Sequence, residues 1–136
     1  MPRKKAFDFN QEICFRPIGF VHSQFEQGQS RKAMEESRSR IVVHKKWTPG
    51  LEGLESGQSI WVIFYFHRAA EERPLRQHPR GDTSRPKRGI FSLRSPSRPN
   101  GIGITRVTLV EKEPSLLVVR GLDAYDQTPV LDLKPA

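Results

Sequence analysis

The sequence of 136 residues has a single cysteine, Cys14, which excludes a disulfide framework and a metal site built from cysteines. It contains no run of ~18 apolar residues, the length that a membrane-spanning helix needs. Residues 1–5 are basic, but no apolar segment follows them, so we expect no signal peptide. The four histidines lack the spacing of zinc ligands. From these absences we expect a cytoplasmic protein that uses neither a metal nor a membrane.

Acidic residues are also scarce, and the imbalance is local. The chain carries 23 Lys and Arg against 15 Asp and Glu, a net charge of +8. Residues 73–106 hold nine basic residues and one acidic residue, Asp82, so this stretch carries the whole excess. A concentrated basic stretch is typical of proteins that bind polyanions, and the guanidinium group is suited to phosphate. This distribution favours a nucleic-acid partner over the alternative, a basic surface that only keeps the protein soluble.

The apolar residues occur in short runs that predict strands. The runs lie at residues 13–21, 41–43, 59–67, 90–93, 102–110, 116–119 and 130–133. About seven short strands with little helix predict a mainly β protein, a compact and mostly antiparallel β-barrel. We expect residues 12–136 to form this single domain after a flexible tail at residues 1–11. Cys14 falls in the first run, where we expect a buried, inert thiol.

Three segments between or within these runs shape the expected fold. The polar segment 24–40 predicts either a solvated helical turn or a surface loop. The most apolar run, 59–67, predicts a central strand covered on both faces. We therefore expect its aromatic residues to be buried: Trp61, Phe64, Tyr65 and Phe66. Residues 68–88 predict a loop of ~20 residues, a length that is usually functional or disordered.

Residues 88–103 contain an unusual set of arginines and prolines. Pro96 and Pro99 fix their backbone φ angles and hold Arg94 and Arg98 on a stiff turn. A stiffened pair of arginines binds a carboxylate or a phosphate with a smaller loss of entropy. The alternative is an ordinary Pro-Asn-Gly turn with solvated charges.

Residues 123–129 form a second unusual segment, in which carboxylates and hydroxyl groups precede the final strand. Asp123, Tyr125, Asp126 and Thr128 can accept hydrogen bonds from ribose hydroxyls or an exocyclic amine. The alternative is an Asx-type turn. His67 ends the apolar strand, where a side chain projects from the rim of a barrel; a lone histidine there is more often structural than catalytic.

The sequence resembles the TrmO (TsaA-like, formerly YaeB-like) family of S-adenosylmethionine-dependent tRNA methyltransferases. The matching motifs occur in the family's order at residues 17–23 (PIGFVHS), 50–55 (GLEGLE), 60–67 (IWVIFYFH), 89–100 (GIFSLRSPSRPN), 123–129 (DAYDQTP) and 130–135 (VLDLKP). The resemblance implies a homodimer with the cofactor site near the subunit interface. It also implies methyl transfer to the N6 nitrogen of threonylcarbamoyl-adenosine beside the anticodon of a tRNA.

The resemblance assigns roles to particular residues. The implied contacts to S-adenosylmethionine are His67, Arg68, Arg94, Asp126, Gln127, Thr128 and Pro129, with Arg31 as a weaker counterpart of a family arginine. Arg98 and Asn100 match the family's Arg-Pro-Asn signature and are expected to shape the pocket. Asp126 or Tyr125 is the expected proton acceptor. The expected contacts to tRNA are Arg73, Arg76, Arg80, Arg85, Lys87 and Arg88.

Two departures from the family pattern leave other functions open. The family's Pro-Arg-Gln loop reads QGQSRK at residues 27–32, where only Arg31 is a counterpart. The family's Asp-Gly-Thr-Pro has Gln127 where the backbone is expected to need the freedom of glycine. The alternatives are a methyltransferase of the same fold with a different acceptor, and a non-enzymatic RNA-binding barrel. The barrel alternative would require exposed aromatic residues for base stacking.

Overall fold

A computed structural model describes residues 6–25 and 28–136. Part of the predicted tail, residues 1–5, lies outside the described residues, as does Gln27 of the loop at 27–32. Residues 6–17 have exposed side chains and belong to no helix or strand. Among the described residues, no helix has both the length and the apolar character needed to cross a membrane.

Six strands close into an antiparallel barrel in the order β1-β2-β7-β6-β3-β8, and β8 pairs with β1. The barrel strands are β1 (Gly19–His22), β2 (Arg38–Val43), β3 (Ser59–Tyr65), β6 (Ile102–Glu113), β7 (Leu116–Arg120) and β8 (Pro129–Pro135). Two further strands, β4 (Arg76–Gln77) and β5 (Arg88–Gly89), form a separate small sheet. The predicted barrel is confirmed, with six strands in its wall.

Period-two alternation places the core inside this barrel. In β3, Ile60, Val62 and Phe64 are buried, while Trp61 and Tyr65 on the opposite face are not. The expectation that all aromatic residues of this run are buried is therefore wrong, and Phe66 is also only partly buried. β3 is central because it pairs with β6 and β8. Its outer face is only partly covered, since Trp61 and Ile63 are half-buried and Tyr65 is exposed, so the expectation of cover on both faces is not met.

Gly103 sets the alternation at the start of β6. It faces inward, and a Cβ atom there would lie 2.6 Å from the ring of Phe66 and 2.8 Å from that of Phe64. The two rings occupy the space of the absent side chain. Ile102 and Ile104 therefore point outward and are 38% and 43% exposed.

The first strand is shorter than its apolar run. Pro17 has no N–H to donate, and the ladder starts at the next residue, where Ile18 N–H donates to the Val130 carbonyl at 2.8 Å. Cys14 precedes this point and is exposed, which corrects the expectation of a buried thiol.

The remaining corrections concern short segments. A helix α1 (Arg31–Glu36) begins after the Ser30 N-cap, and Arg31 pairs with Glu35 at 3.1 Å, so the helical alternative for this segment is the observed one. The predicted strand at residues 90–93 is instead a turn of 3-10 helix (Ile90–Ser92), in which Leu93 N–H donates to the Ile90 carbonyl at 3.0 Å. The predicted loop 68–88 contains β4 and the start of β5.

Candidate active site

A cleft with a volume of about 1240 Å³ is called the main cleft below. Its lining comes from β3 and β6, from residues 66–70 after β3, from the loop at residues 93–98 and from residues 120–128. Part of α1 and Phe25 close another side. The volume exceeds the ~300–1,000 Å³ that encloses a typical small-molecule ligand. The main cleft therefore has room for two reactants.

Aromatic rings form an apolar part of the lining. Phe64 and Phe66 pack edge to face with ring centroids 5.2 Å apart, in the space that Gly103 leaves free. Because these rings also contact the barrel core, the sequence pattern of β3 and the missing side chain of β6 together fix their positions. Phe64 is 3% exposed, so Phe66 is the ring of this pair on which a flat group such as a purine can stack.

Arginines dominate the charge of the main cleft. Its arginines are Arg31, Arg68, Arg80, Arg94, Arg98, Arg106 and Arg120. Two carboxylates also line it, and one of them, Glu35, is paired with Arg31. A cleft of this composition attracts anionic groups such as carboxylates and phosphates.

The loop at residues 93–98 is fixed by its own arginine. Arg98 Nη1 donates to the carbonyls of Leu93 and Ser95 at 3.0 and 3.2 Å. Arg73 in turn donates to the Arg98 carbonyl at 2.8 Å. Arg94 Nη2 donates to the Ile104 carbonyl at 2.6 Å, which anchors this side chain against β6. Arg98 therefore uses its Nη1 to hold the loop itself, whereas Arg94 lies on the exposed surface of the main cleft.

Tyr125 is held between two side chains. The guanidinium carbon of Arg68 lies 4.0 Å from the centre of its ring, and the Phe25 ring lies 5.4 Å away. Thr128, which is 3% exposed, donates its hydroxyl to the Tyr125 carbonyl at 2.7 Å. All four residues line the main cleft, as does the exposed His67.

Asp126 lies outside the main cleft. Its Oδ1 accepts a hydrogen bond from Ser23 N–H at 3.1 Å and lies 3.4 Å from His22 Nδ1. These contacts, chiefly the Ser23 N–H, hold the pKa of Asp126 below its ordinary value. Asp126 instead lines a smaller side depression, which consists of His22, Ser23, Gln24, Arg38, Arg40, Glu111, Val118 and Asp126.

Gln127 and Pro129, expected at the cofactor, and Asn100, expected to shape the pocket, do not line the main cleft. Gln127 has a left-handed backbone with φ of 68°, as its place in the family motif led us to expect. Pro129 begins β8 and is opposite Phe20 of β1. Asn100 is exposed in the turn before Gly101. The structure therefore brings Thr128 alone of the residues 126–129 to the main cleft.

The sequence identified Asp123 only as one of four hydrogen-bond acceptors in its segment and gave it no role at the cofactor or in proton transfer. Asp123 lines the main cleft, and its Oδ1 accepts a hydrogen bond from the Thr105 hydroxyl at 2.5 Å. The sequence placed Asp123 and Asp126 in the same segment, but no periodicity tells which side of an irregular loop each carboxylate occupies. The register of β6, which brings Thr105 to this point, was the missing information.

The expected RNA-binding loop divides into different environments. Arg73 is partly buried through its bond to the Arg98 carbonyl, and Arg80 lines the main cleft with a positive φ of 53°. The other members are exposed and line neither the main cleft nor the side depression: Arg76, Arg85, Lys87 and Arg88. Within residues 6–25 and 28–136, no group of three or more His, Cys, Asp or Glu side chains is arranged to hold a metal ion.

Comparison with known proteins gives matches over most of the chain. The family model described as the tRNA-methyltransferase O N-terminal domain matches residues 20–136. A probable S-adenosyl-L-methionine-binding protein of Methanothermobacter thermautotrophicus is 42% identical over 131 residues, which cover 93% of this chain and 91% of that protein. The mouse tRNA (adenine(37)-N6)-methyltransferase is 36% identical over 133 residues, which cover 90% of this chain and 30% of the mouse protein.

A solved structure shares the fold. The crystal structure of TrmO from Pseudomonas aeruginosa superposes with a TM-score of 0.72 and 30% sequence identity, and the match covers 93% of this chain. The chain spans only 56% of the length of that TrmO chain.

Proposed function

The chain belongs to the tRNA-methyltransferase O family, and on that premise we propose that it methylates tRNA with S-adenosylmethionine as the methyl donor. The proposed acceptor is the N6 nitrogen of threonylcarbamoyl-adenosine beside the anticodon. The observation that carries the proposal is the composition of the main cleft. Aromatic rings, arginines and Asp123, whose carboxylate accepts a hydrogen bond from Thr105, all line it. Residues 12–136 act as a single domain in the cytoplasm.

The donor set of the main cleft fits S-adenosylmethionine. The partly exposed ring of Phe66, packed on the buried ring of Phe64, offers a surface for the adenine. Arg94 is suited to the carboxylate of the amino-acid part, since guanidinium groups bind carboxylates with two parallel hydrogen bonds. The partly exposed aromatic surface and Arg94 thus match the adenine and the carboxylate of this cofactor.

Asp123 also replaces Asp126 as the proposed proton acceptor. Bound S-adenosylmethionine supplies a methyl group already activated by its sulfonium. The acceptor nitrogen loses a proton as its bond to the methyl carbon forms, and an adjacent carboxylate can take that proton. Thr105 donates to Asp123 Oδ1 and so orients the carboxylate, leaving Oδ2 for the substrate. The other side chains of the main cleft hold the two reactants close together, which is the larger part of catalysis in such a transfer.

A second copy of the chain is proposed to cover one flank of the main cleft. Tyr65 and Ile102 are opposite each other in β3 and β6, and both are exposed. Ile104 lies on the same face of β6, and Leu93 lines the main cleft with it. Contiguous exposed apolar side chains of this kind mark interaction surfaces. A homodimer formed here would exclude water from the reacting groups.

The first test is calorimetric titration of the protein with S-adenosylmethionine. We expect Arg94→Ala to weaken binding by at least about tenfold, because a charge-assisted hydrogen bond is lost. Lys45→Ala is the matched control, since Lys45 is an exposed cation that does not line the main cleft, and it should bind like the wild type. Absence of binding by the wild type would instead favour a non-enzymatic RNA-binding barrel.

The same preparations then test transfer and the acceptor. Asp123→Asn should bind S-adenosylmethionine but transfer methyl groups to tRNA about a hundredfold more slowly, because the amide is not a proton acceptor. Transcripts with and without the threonylcarbamoyl group distinguish the acceptor. Equal methylation of both would reject threonylcarbamoyl-adenosine and retain a methyltransferase with a different acceptor.

A further inference from the structure

Four arginines lie on the outer wall of the barrel, outside the basic loop at residues 73–88. These wall arginines are Arg38 and Arg40 of β2, Arg120 of β7 and Arg106 of β6. All four are exposed, and they alternate along their strands with the buried residues Ser39, Val107 and Val119. The period of two thus fixes the guanidinium groups on the outside of the wall.

The strand register brings these charges together. Arg38 is directly opposite Arg120 in the antiparallel β2–β7 pair, and Arg120 is opposite Thr108 of β6, two residues from Arg106. Neighbouring strands are ~4.8 Å apart, and alternate residues of a strand are ~7 Å apart. Two guanidinium groups at these spacings can contact one phosphate or two consecutive ones.

This arrangement is unfavourable for the protein alone. Like charges directly opposite each other on neighbouring strands are destabilising. Throughout residues 6–25 and 28–136, the ion pairs are His22–Asp126, Arg31–Glu35 and Lys134–Asp132, and none includes a wall arginine. An anionic ligand would relieve the repulsion between Arg38 and Arg120.

The wall arginines connect the two concave parts of the surface. Arg38 and Arg40 line the side depression, whereas Arg106 and Arg120 line the main cleft. Two carboxylates share the side depression with these arginines. Val118 separates Arg40 from Glu111 in one cross-strand row, and Asp126 is held by Ser23 and by His22, which is opposite Arg40. The positive path into the main cleft therefore runs from Arg38 through Arg120.

We infer that the wall arginines bind the sugar-phosphate backbone of the RNA strand whose base enters the main cleft. This inference rests on the proposed function, in which tRNA is the substrate. Guanidinium groups suit this role because their planar fork matches phosphate. Strand pairing holds their backbones in place, so binding has only side-chain freedom to restrict. The contact is to the backbone, so it positions the RNA without reading its sequence.

The test compares two double variants of the full chain that remove equal charge. Arg38→Gln/Arg40→Gln should lower the affinity for a tRNA transcript by about tenfold at physiological salt. The slope of log affinity against log salt should fall by about 1.5, because two phosphate contacts are lost. Affinity for S-adenosylmethionine should not change, because neither residue lines the main cleft. Fluorescence anisotropy measures the first two quantities and calorimetry the third.

Lys45→Gln/Lys46→Gln is the control, since these exposed lysines follow the opposite end of β2. It should change tRNA affinity by less than about twofold. Equal losses in both variants, or no loss in the arginine variant, would overturn the inference and leave the proposed methyltransferase intact. If the wild type binds S-adenosylmethionine but no tRNA, the RNA substrate and the wall contact are both rejected.

Discussion

The molecule has two basic regions, and they differ in how they are built. In the basic loop, residues 73–88, the charges follow one another along the chain; within this range, all of which the structure describes, Pro79 alone is buried. The wall arginines come from β2 and from the β6–β7 hairpin, which is distant from β2 in sequence, over a core in which Ile41, Leu109 and Val119 are fully buried. The loop concentrates charge in sequence, whereas the wall concentrates it in space.

This difference matters for binding. A loop held by few buried contacts must be ordered when a ligand arrives, and ordering costs free energy. In the wall, folding of the barrel has already ordered the backbone that carries the arginines. Within the loop, Arg73 is already held in place, because its guanidinium donates to the Arg98 carbonyl and supports the turn at residues 93–98.

The largest expected effect compares the stability of the two regions. Leu109→Ala removes a fully buried side chain of the barrel, and we expect the free energy of unfolding to fall by about 3 kcal/mol. Leu75→Ala in the loop region should cost less than about 0.5 kcal/mol, because Leu75 is 64% exposed. Urea unfolding of both variants measures the difference. Similar losses would show that the loop is as tightly packed as the barrel.

An intermediate effect on tRNA affinity is expected when charges are removed from the basic loop instead of from the wall. Arg85→Gln/Lys87→Gln removes two exposed charges from the loop, where sequence analysis predicts RNA contacts. We expect tRNA affinity to fall by about threefold, less than for the Arg38 and Arg40 variant, because the loop charges are not held in place. Anisotropy titration at one salt concentration decides the order. A greater loss from the loop variant would reverse the comparison.

The smallest expected effect is on the stability of the protein at acid pH. The pKa of Asp126 is lowered mainly by the Ser23 N–H, and that of Asp82 is lowered mainly by the Ser84 hydroxyl. A carboxyl group with a lowered folded-state pKa stabilises the protein above its ordinary value of 3.8, and this contribution is lost as the pH falls through the folded-state value. Asp126→Asn should therefore flatten the dependence of the melting temperature on pH below about pH 4.

Asp82→Asn serves as the loop counterpart. Its partner Ser84 is two residues away, whereas Ser23 belongs to the segment after β1 and is distant from Asp126 in sequence. Removing the longer-range contact should move the melting temperature more. An identical pH profile for both variants would contradict this expectation.

Much of the barrel was predictable because alternation and turn residues are local signals. The segments of β6, β7 and β8 were each found from their apolar pattern, although Gly103 displaced Ile104 from the inner face. The environment of Cys14 was not predictable in this way. It depended on where pairing with β8 begins after Pro17, which is a long-range property.

The residue types of the candidate site were predictable from the sequence. The side of the loop on which each side chain lies was less predictable. Arg68, Arg94 and Thr128 all line the main cleft, as the family motifs led us to expect for the cofactor site; their roles stay predictions. Asp123 lines the main cleft and Asp126 does not; the left-handed turn at Gln127 and the hydrogen bond from Ser23 N–H to Asp126 belong to this loop conformation. The sequence counted Arg106 in its basic stretch but gave no signal that Arg106 lies with Arg38, Arg40 and Arg120, since only strand register assembles these four.

The seam between β1 and β8 has a consequence for the order of folding. Only two residue pairs join these strands, Gly19 with Val130 and Phe20 with Pro129, although most of the chain separates them. The same seam fixes the loop beside the main cleft, because Gln127 N–H donates to the Val21 carbonyl and Val21 N–H to the Thr128 carbonyl. Contacts between such distant segments form late, since closing a long loop is entropically costly. A ribosome-bound chain that has not yet emerged as far as β8 therefore has no finished binding site, and maturation of the site coincides with closure of the barrel.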